Sequence, residues 1–149
     1  MEIRLGSQVR DASEAEGTAI IIDVFRAFTT AAIAFDHGVR EITLVADAED
    51  ALALHRRGVG DFLMGEVAGK RPDGFDFGNS PYEISQVDLD GKTLVQSTRA
   101  GTVGVAAASK ADTIYLGSLV VARGTVDAIL KDNPSVVSII AMGDQGVVR

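Results

Sequence analysis

No cysteine occurs in the 149 residues, which excludes disulfides, thiolate nucleophiles and cysteine-ligated metals. Positive charge is also scarce: 14 lysines and arginines stand against 21 acids, a formal net charge of −7. Neutralising phosphates along a duplex calls for a basic stripe, so a nucleic-acid surface is not expected. Any anion would have to be met by a few local positive groups. Long apolar runs are missing, and the opening MEIRLGSQVRD lacks the apolar core of a secretion signal. No membrane association is expected, and a cytoplasmic location is the default. Internal repeats and low-complexity tracts are absent too. The two histidines, His37 and His55, have no partners at metal-ligand spacing, so structural or exposed roles are expected for both.

The remaining composition, 46% hydrophobic and 23% charged, fits one globular domain large enough to bury a core. Thr18 to Val24, TAIIIDV, is a continuous apolar run of the kind buried on both faces of a parallel sheet. It is preceded by an edge-strand candidate, Met1 to Leu5, and a polar stretch, Gln8 to Gly17, that reads as a loop. Strand and helix patterns then alternate. Helix Phe28 to His37 stops at Gly38; strand Glu41 to Ala46 leads to helix Asp47 to Arg57, closed by Gly58; Asp61 to Gly65 is a strand. After a long loop come strand Thr93 to Gln96, helix Thr102 to Ser109, strand Thr113 to Gly117, helix Leu119 to Lys131 and strand Val136 to Met142. This order predicts an α/β fold, a three-layer αβα sandwich around a mostly parallel sheet.

In such sheets ligands sit at the carboxyl ends of the strands. That rule gathers Asp23, Glu66, the Ser97 to Thr102 turn and Gly117-Ser118. The turn, Ser97-Thr98-Arg99-Ala100-Gly101-Thr102, follows a strand and opens a helix, so backbone N–H groups and hydroxyls are expected to point at one place. Arg26 and Arg99 precede helix starts, where a cation costs roughly 0.3–1 kcal/mol unless an anion neutralises it. The Asp47 to Arg57 helix follows the opposite order, acids first and arginines last. The contrast marks Arg26 and Arg99 as candidate anion-binding groups. Asp23 could cap the helix that follows or, with Glu66, hold Mg²⁺, which needs few oxygen ligands beside water and phosphate. Arg26 could equally pair with Glu66. Thr29 and Thr30 are expected to bond within the first helical turn, and Gly117-Ser118 to turn the chain.

Gly65 to Pro81, GEVAGKRPDGFDFGNSP, is long for a loop in a compact α/β domain, a length more often functional than structural. Ser80-Pro81-Tyr82-Glu83 matches a capping box with proline at the first helical position. Asp76 and Asn79 have no such explanation, and Lys70-Arg71 could be functional or solvated.

Taken together, IIDVFRAFTTA, GEVAGKRPDGFDFGNSP and STRAGT resemble the phosphosulfolactate phosphatase family, the coenzyme M biosynthesis enzyme and its relatives. Members carry D-V-x-R-A-x-T-T, G-E … G-x-N-S-P and S-T-x-x-G-T in this order. The resemblance implies a Mg²⁺-dependent phosphatase acting on a small phosphorylated acid such as 2-phosphosulfolactate. It implies a site at Asp23, Arg26, Glu66, Asn79 and the Ser97 to Thr102 turn. It also implies a chain incomplete at its C-terminus, because members continue past Ala141-Met142-Gly143 into further helices. In the turn, Arg99-Ala100 stand where the characterised enzyme has Thr-Asn.

The expected mechanism is metal-assisted hydrolysis of a phosphomonoester. Asp23 and Glu66 hold Mg²⁺; Arg26, Arg99 and the turn amides neutralise the phosphoryl oxygens; Asn79, Ser97, Thr98, Gly101 and Thr102 bind substrate. The nucleophile is water or Asp23, with water preferred. The rival reading is a non-catalytic module binding a small anionic metabolite, for which no metal is needed. The acidic surface permits a homodimer without requiring one.

Overall fold

The computed structural model describes residues 1–143. Among them the chain runs β1 (Glu2–Ser7), α1 (Gln8–Ala12), β2 (Gly17–Ile22), α2 (Ala27–Asp36), β3 (Glu41–Val45), α3 (Ala48–Arg56) and β4 (Phe62–Gly65). It continues with α4 (Pro81–Ile84), β5 (Thr93–Ser97), α5 (Gly101–Ala107), β6 (Ala111–Gly117), a 3₁₀ turn (Leu119–Val121), α6 (Ala122–Asp132) and β7 (Val136–Ala141). The strands form two sheets, β1-β7-β2-β6 and β3-β5-β4, and every pairing is parallel. The expected α/β architecture is therefore present, with its strands divided between two sheets.

Parallel strands covered on both faces need apolar side chains in both directions, and β5 shows this directly. Leu94 packs with Ala34, Met64, Ile84 and Leu89 on one side of the smaller sheet. Its neighbour Val95 packs with Ala51, Leu63 and Phe75 on the other. The larger sheet contributes Ala19, Ile21 and Ile140 to a third cluster with Ala12, Ala27, Phe28 and Ala108. Phe28 is only 1% exposed, a burial worth about 1.5–3 kcal/mol. Leu44 of β3 packs against that cluster, so it reaches from one sheet to the other.

One stretch departs from expectation. Gln8 to Gly17 reads as a polar loop, yet Gln8–Ala12 is a helical turn. Asp11 Oδ2 accepts the Ser7 N–H at 2.8 Å, and Ala12 and Ala15 are buried in the core. Five residues are too few to display a helical period, so the burial of two alanines is invisible in the pattern. The other boundaries fall within a residue or two, except that the helix expected from Leu119 opens as a 3₁₀ turn and becomes α-helical only at Ala122. Gly38 and Gly58, at φ +87° and +82°, end α2 and α3 in the left-handed region that glycine adopts cheaply.

Candidate functional site

All strands of each sheet run the same way, so their carboxyl ends share a rim, and the chain leaves each strand there carrying polar residues. A cavity of about 740 Å³ opens on this rim. Its lining includes Asp23 after β2, Glu66 after β4, Arg99 after β5, Leu119 after β6 and Met142 after β7. Both sheets thus contribute. Arg26 and Asn79 complete the polar wall, and Phe25 and Leu119 supply an exposed apolar one. Asp23, Arg26, Glu66, Asn79 and Arg99, far apart in the sequence, therefore line one space.

Asp23 is buried and fastened on both oxygens. Oδ1 accepts the Ala27 N–H at 3.2 Å, and Oδ2 accepts the Gly101 N–H at 2.9 Å. The backbone N–H of Asp23 itself donates to the Gly117 carbonyl at 3.1 Å. The capping role open from sequence is real, and it is double: one carboxylate serves the first residues of α2 and α5 together. Glu66 is built the same way. Its Oε1 accepts the Arg99 N–H at 2.8 Å and its Oε2 the Gly69 N–H at 2.7 Å.

The two guanidinium groups are differently placed. Arg26 occupies the N-cap of α2 and Arg99 precedes the N-cap of α5, the unfavourable positions for a cation. Both side chains are exposed, and neither forms an ion pair or side-chain hydrogen bond among the described residues. The Arg26–Glu66 pair left open from sequence is not formed. The Phe25–Arg26 peptide between these walls is cis.

The Ser97 to Thr102 turn corrects an expectation. Its amides at Thr98, Arg99, Gly101 and Thr102 are spent inside the protein and do not form an open cradle. Thr98 N–H donates to Thr102 Oγ1 at 2.8 Å, Thr102 N–H to Thr98 Oγ1 at 3.2 Å, and Thr102 Oγ1 to the Thr98 carbonyl at 2.8 Å. Arg99 and Gly101 donate to Glu66 and Asp23. Ser97, Thr98, Gly101 and Thr102 are all buried and none lines the main cavity. Ser97 and Thr98 line an adjoining one of about 330 Å³, which shares Glu66 and Arg99. The physical reason is that protein carboxylates and hydroxyls reach the helix start from within the same rim and satisfy it first. Thr98 and Thr102 sit four positions apart, the one sequence signal of their mutual bonding.

In the long loop, the structure separates scaffolding from surface. Asp76 Oδ2 accepts the Leu63 N–H at 2.8 Å, so Asp76 extends the edge of β4. Ser80 Oγ accepts the Glu83 N–H at 3.3 Å, while the Glu83 carboxylate reaches back to the Gly78 N–H at 2.9 Å. Arg71 donates to the Asp76 carbonyl at 3.0 Å and pairs with Glu83. Lys70 is exposed and does not line the cavity. Asn79 is buried at 6% exposure, lines the cavity, and its Oδ1 has no hydrogen-bond partner among the described residues. A buried amide oxygen without a partner costs about 1–3 kcal/mol, so its place on the cavity wall makes it a group that a ligand would satisfy.

Elsewhere the bland readings hold. Thr29 and Thr30 bond to the Val24 and Arg26 carbonyls at 2.7 and 2.9 Å, and His55 Nδ1 faces the Gly60 carbonyl at 3.1 Å. Gln96 gave no sequence signal. It is fully buried in β5 and donates to the Ala27 carbonyl at 3.0 Å, tying the smaller sheet to the start of α2.

As for a metal, no group of three or more acidic or histidine side chains that could hold one occurs among the described residues. Mg²⁺ is content with one or two carboxylates plus water. Asp23 and Glu66 both line the cavity and are oxygen donors of the type that Mg²⁺ takes. No helix among the described residues is long and apolar enough to cross a membrane.

Comparison with known proteins finds one family and several relatives. The family model described as 2-phosphosulpholactate phosphatase matches residues 5–149. A probable 2-phosphosulfolactate phosphatase of Carboxydothermus hydrogenoformans is 40% identical over 118 residues, covering 79% of this chain and 49% of its own length. One of Caldicellulosiruptor saccharolyticus is 34% identical over 142 residues, 93% of this chain and 59% of the relative. One of Parasynechococcus marenigrum is 34% identical over 130 residues, 86% and 54% respectively. The chain spans about half to three-fifths of the length of these relatives.

Proposed function

The chain belongs to the 2-phosphosulpholactate phosphatase family, and from that membership we propose that it is a phosphomonoester hydrolase acting on a small phosphorylated acid such as 2-phosphosulfolactate. One observation carries the reading beyond the family name: two exposed guanidinium groups without ion-pair partners among the described residues share a cavity with two amide-fastened carboxylates. Such a cavity can attract a phosphate dianion and still hold acceptors for a metal or a proton.

In this reading Arg26 and Arg99 bind the phosphoryl oxygens and neutralise the charge that spreads over them as the P–O bond breaks. Asn79 orients the substrate through its amide. Water adds to phosphorus, the ester oxygen leaves with a proton as the alcohol, and inorganic phosphate remains. The amide bonds on both oxygens of Asp23 support water, rather than this carboxylate, as the nucleophile. Mg²⁺, held by Asp23 and Glu66, would supply Lewis-acid polarisation of the phosphoryl group. Cytoplasmic location and a homodimer belong to the same proposal.

The test is release of phosphate from 2-phosphosulfolactate and from a chromogenic phosphomonoester, with Mg²⁺ and then with excess chelator. Turnover that chelation abolishes, and that Asp23→Asn abolishes, is the expected result. Anion binding indifferent to metal, with no phosphate released, would replace the enzyme by a binding module.

A further inference from the structure

Glu66 stands between two loops that line the cavity. Its backbone N–H donates to the Ser97 carbonyl at 3.0 Å, so its main chain is registered against the end of β5. Its side chain then grips Arg99 N–H with one oxygen and Gly69 N–H with the other, at 2.8 and 2.7 Å. The Gly69 end is firm. Val67 and Lys70 exchange two backbone hydrogen bonds of 2.9 and 3.1 Å across a tight turn whose central residues, Ala68 and Gly69, have φ of +53° and +77°. The Arg99 end is not. Among the described residues the bond to Glu66 is the only hydrogen bond that Arg99 donates, and its side chain is exposed.

We infer that Glu66 is a positioning residue for anion binding: through the Arg99 peptide N–H it sets where the Arg99 guanidinium stands. This role is separate from any lone pair it lends to a metal. Its consequence for turnover rests on the phosphatase reading, while its effect on anion binding without metal does not.

Two physical effects oppose each other here, and their signs differ. Coulomb's law alone says that removing a carboxylate beside an anion site tightens anion binding. A positioning role says that removing it loosens binding, because the guanidinium loses its tether and must be ordered when the anion arrives. Glutamine separates the two further. It lacks the charge yet keeps a carbonyl oxygen for the Arg99 N–H, and its NH2 then faces Gly69, whose exposed N–H can turn to water instead.

The experiment measures binding of inorganic phosphate by calorimetry in excess chelator, for the wild-type chain, Glu66→Ala, Glu66→Gln, Arg99→Ala and the Glu66→Ala/Arg99→Ala double variant. Hydrogen exchange of the Arg99 and Ala100 amides is followed in parallel. The expected result is that Glu66→Ala weakens phosphate binding about tenfold, as Arg99→Ala does, and that the double variant is no weaker than Arg99→Ala alone. Glu66→Gln should bind at least as tightly as wild type, and Arg99 amide protection should vanish in the alanine variant only. Unchanged or tighter phosphate binding by Glu66→Ala overturns the proposal, as does strict additivity in the double variant. Should the alanine variant not fold, an Arg99 amide that exchanges in the wild type as fast as that of Ala100 overturns it as well. Failure to release phosphate with Mg²⁺ present would sink the phosphatase reading and leave these outcomes intact.

Discussion

The Gly101 N–H donates to Asp23 Oδ2 at 2.9 Å across 78 positions of sequence, and the same carboxylate accepts Ala27 N–H through its other oxygen. A side chain leaving the larger sheet thereby fixes the helix that follows the smaller sheet. The bond ties together, on the rim that both line, the Asp23 and Arg99 segments.

Asp23→Asn should cost stability as well as turnover. The amide can accept from one of the two backbone N–H groups but turns a donor toward the other, and a buried unsatisfied pair of donors costs about 1–3 kcal/mol. Chemical denaturation should show that loss with an unchanged m-value, and phosphate release should fall to background.

Arg26→Ala and Arg99→Ala should separate binding from stability. Neither guanidinium makes an ion pair among the described residues, so each substitution should change unfolding free energy by no more than about 0.5 kcal/mol. Each removes a charge-assisted contact to the anion, and phosphate affinity should drop about tenfold or more by calorimetry.

Two glycines should respond unequally to alanine. A Cβ at Gly65 would collide with the Ser97 carbonyl, rigid backbone in the paired strand, and the variant should lose about 3 kcal/mol or more. At Gly104 the first obstacle is the Met142 thioether, a flexible side chain, and alanine favours the helix by about 1 kcal/mol. Gly104→Ala should therefore cost much less, and thermal melts of the two variants give the order.

Acid should remove one strand-pairing contribution selectively. Asp61 accepts Thr93 N–H at 2.8 Å and Thr93 Oγ1–H at 2.9 Å. The backbone bond first, then the hydroxyl bond, hold its carboxyl below the ordinary value of 3.8. A depressed folded-state pKa means the stabilisation is complete above the unfolded value and fades as pH falls through the folded one. The melting-temperature gap between wild type and Asp61→Asn should be constant from pH 7 to about pH 5, then close as the pH is lowered past 3.8.

The alternation of strands and helices was legible because its signals are local. Runs such as TAIIIDV, the capping box at Ser80, and the glycine stops at Gly38 and Gly58 act within a few residues of themselves. The residues at strand ends were legible for the same reason, since parallel topology alone sends them to one rim. The helical turn at Gln8–Ala12 was not, because only one of its five residues, Ala12, is buried.

What chemistry and spacing determined, then, was that Asp23, Arg26, Glu66 and Arg99 belong at the rim, and the family resemblance added Asn79. Only the tertiary structure decided how the turn amides are used. A backbone N–H takes whichever acceptor reaches it first, and that competition depends on distances across the two sheets which no local pattern encodes. Here Asp23, Glu66 and the Thr98–Thr102 pair won it, so the open charge in the cavity belongs to the arginines and not to the main chain.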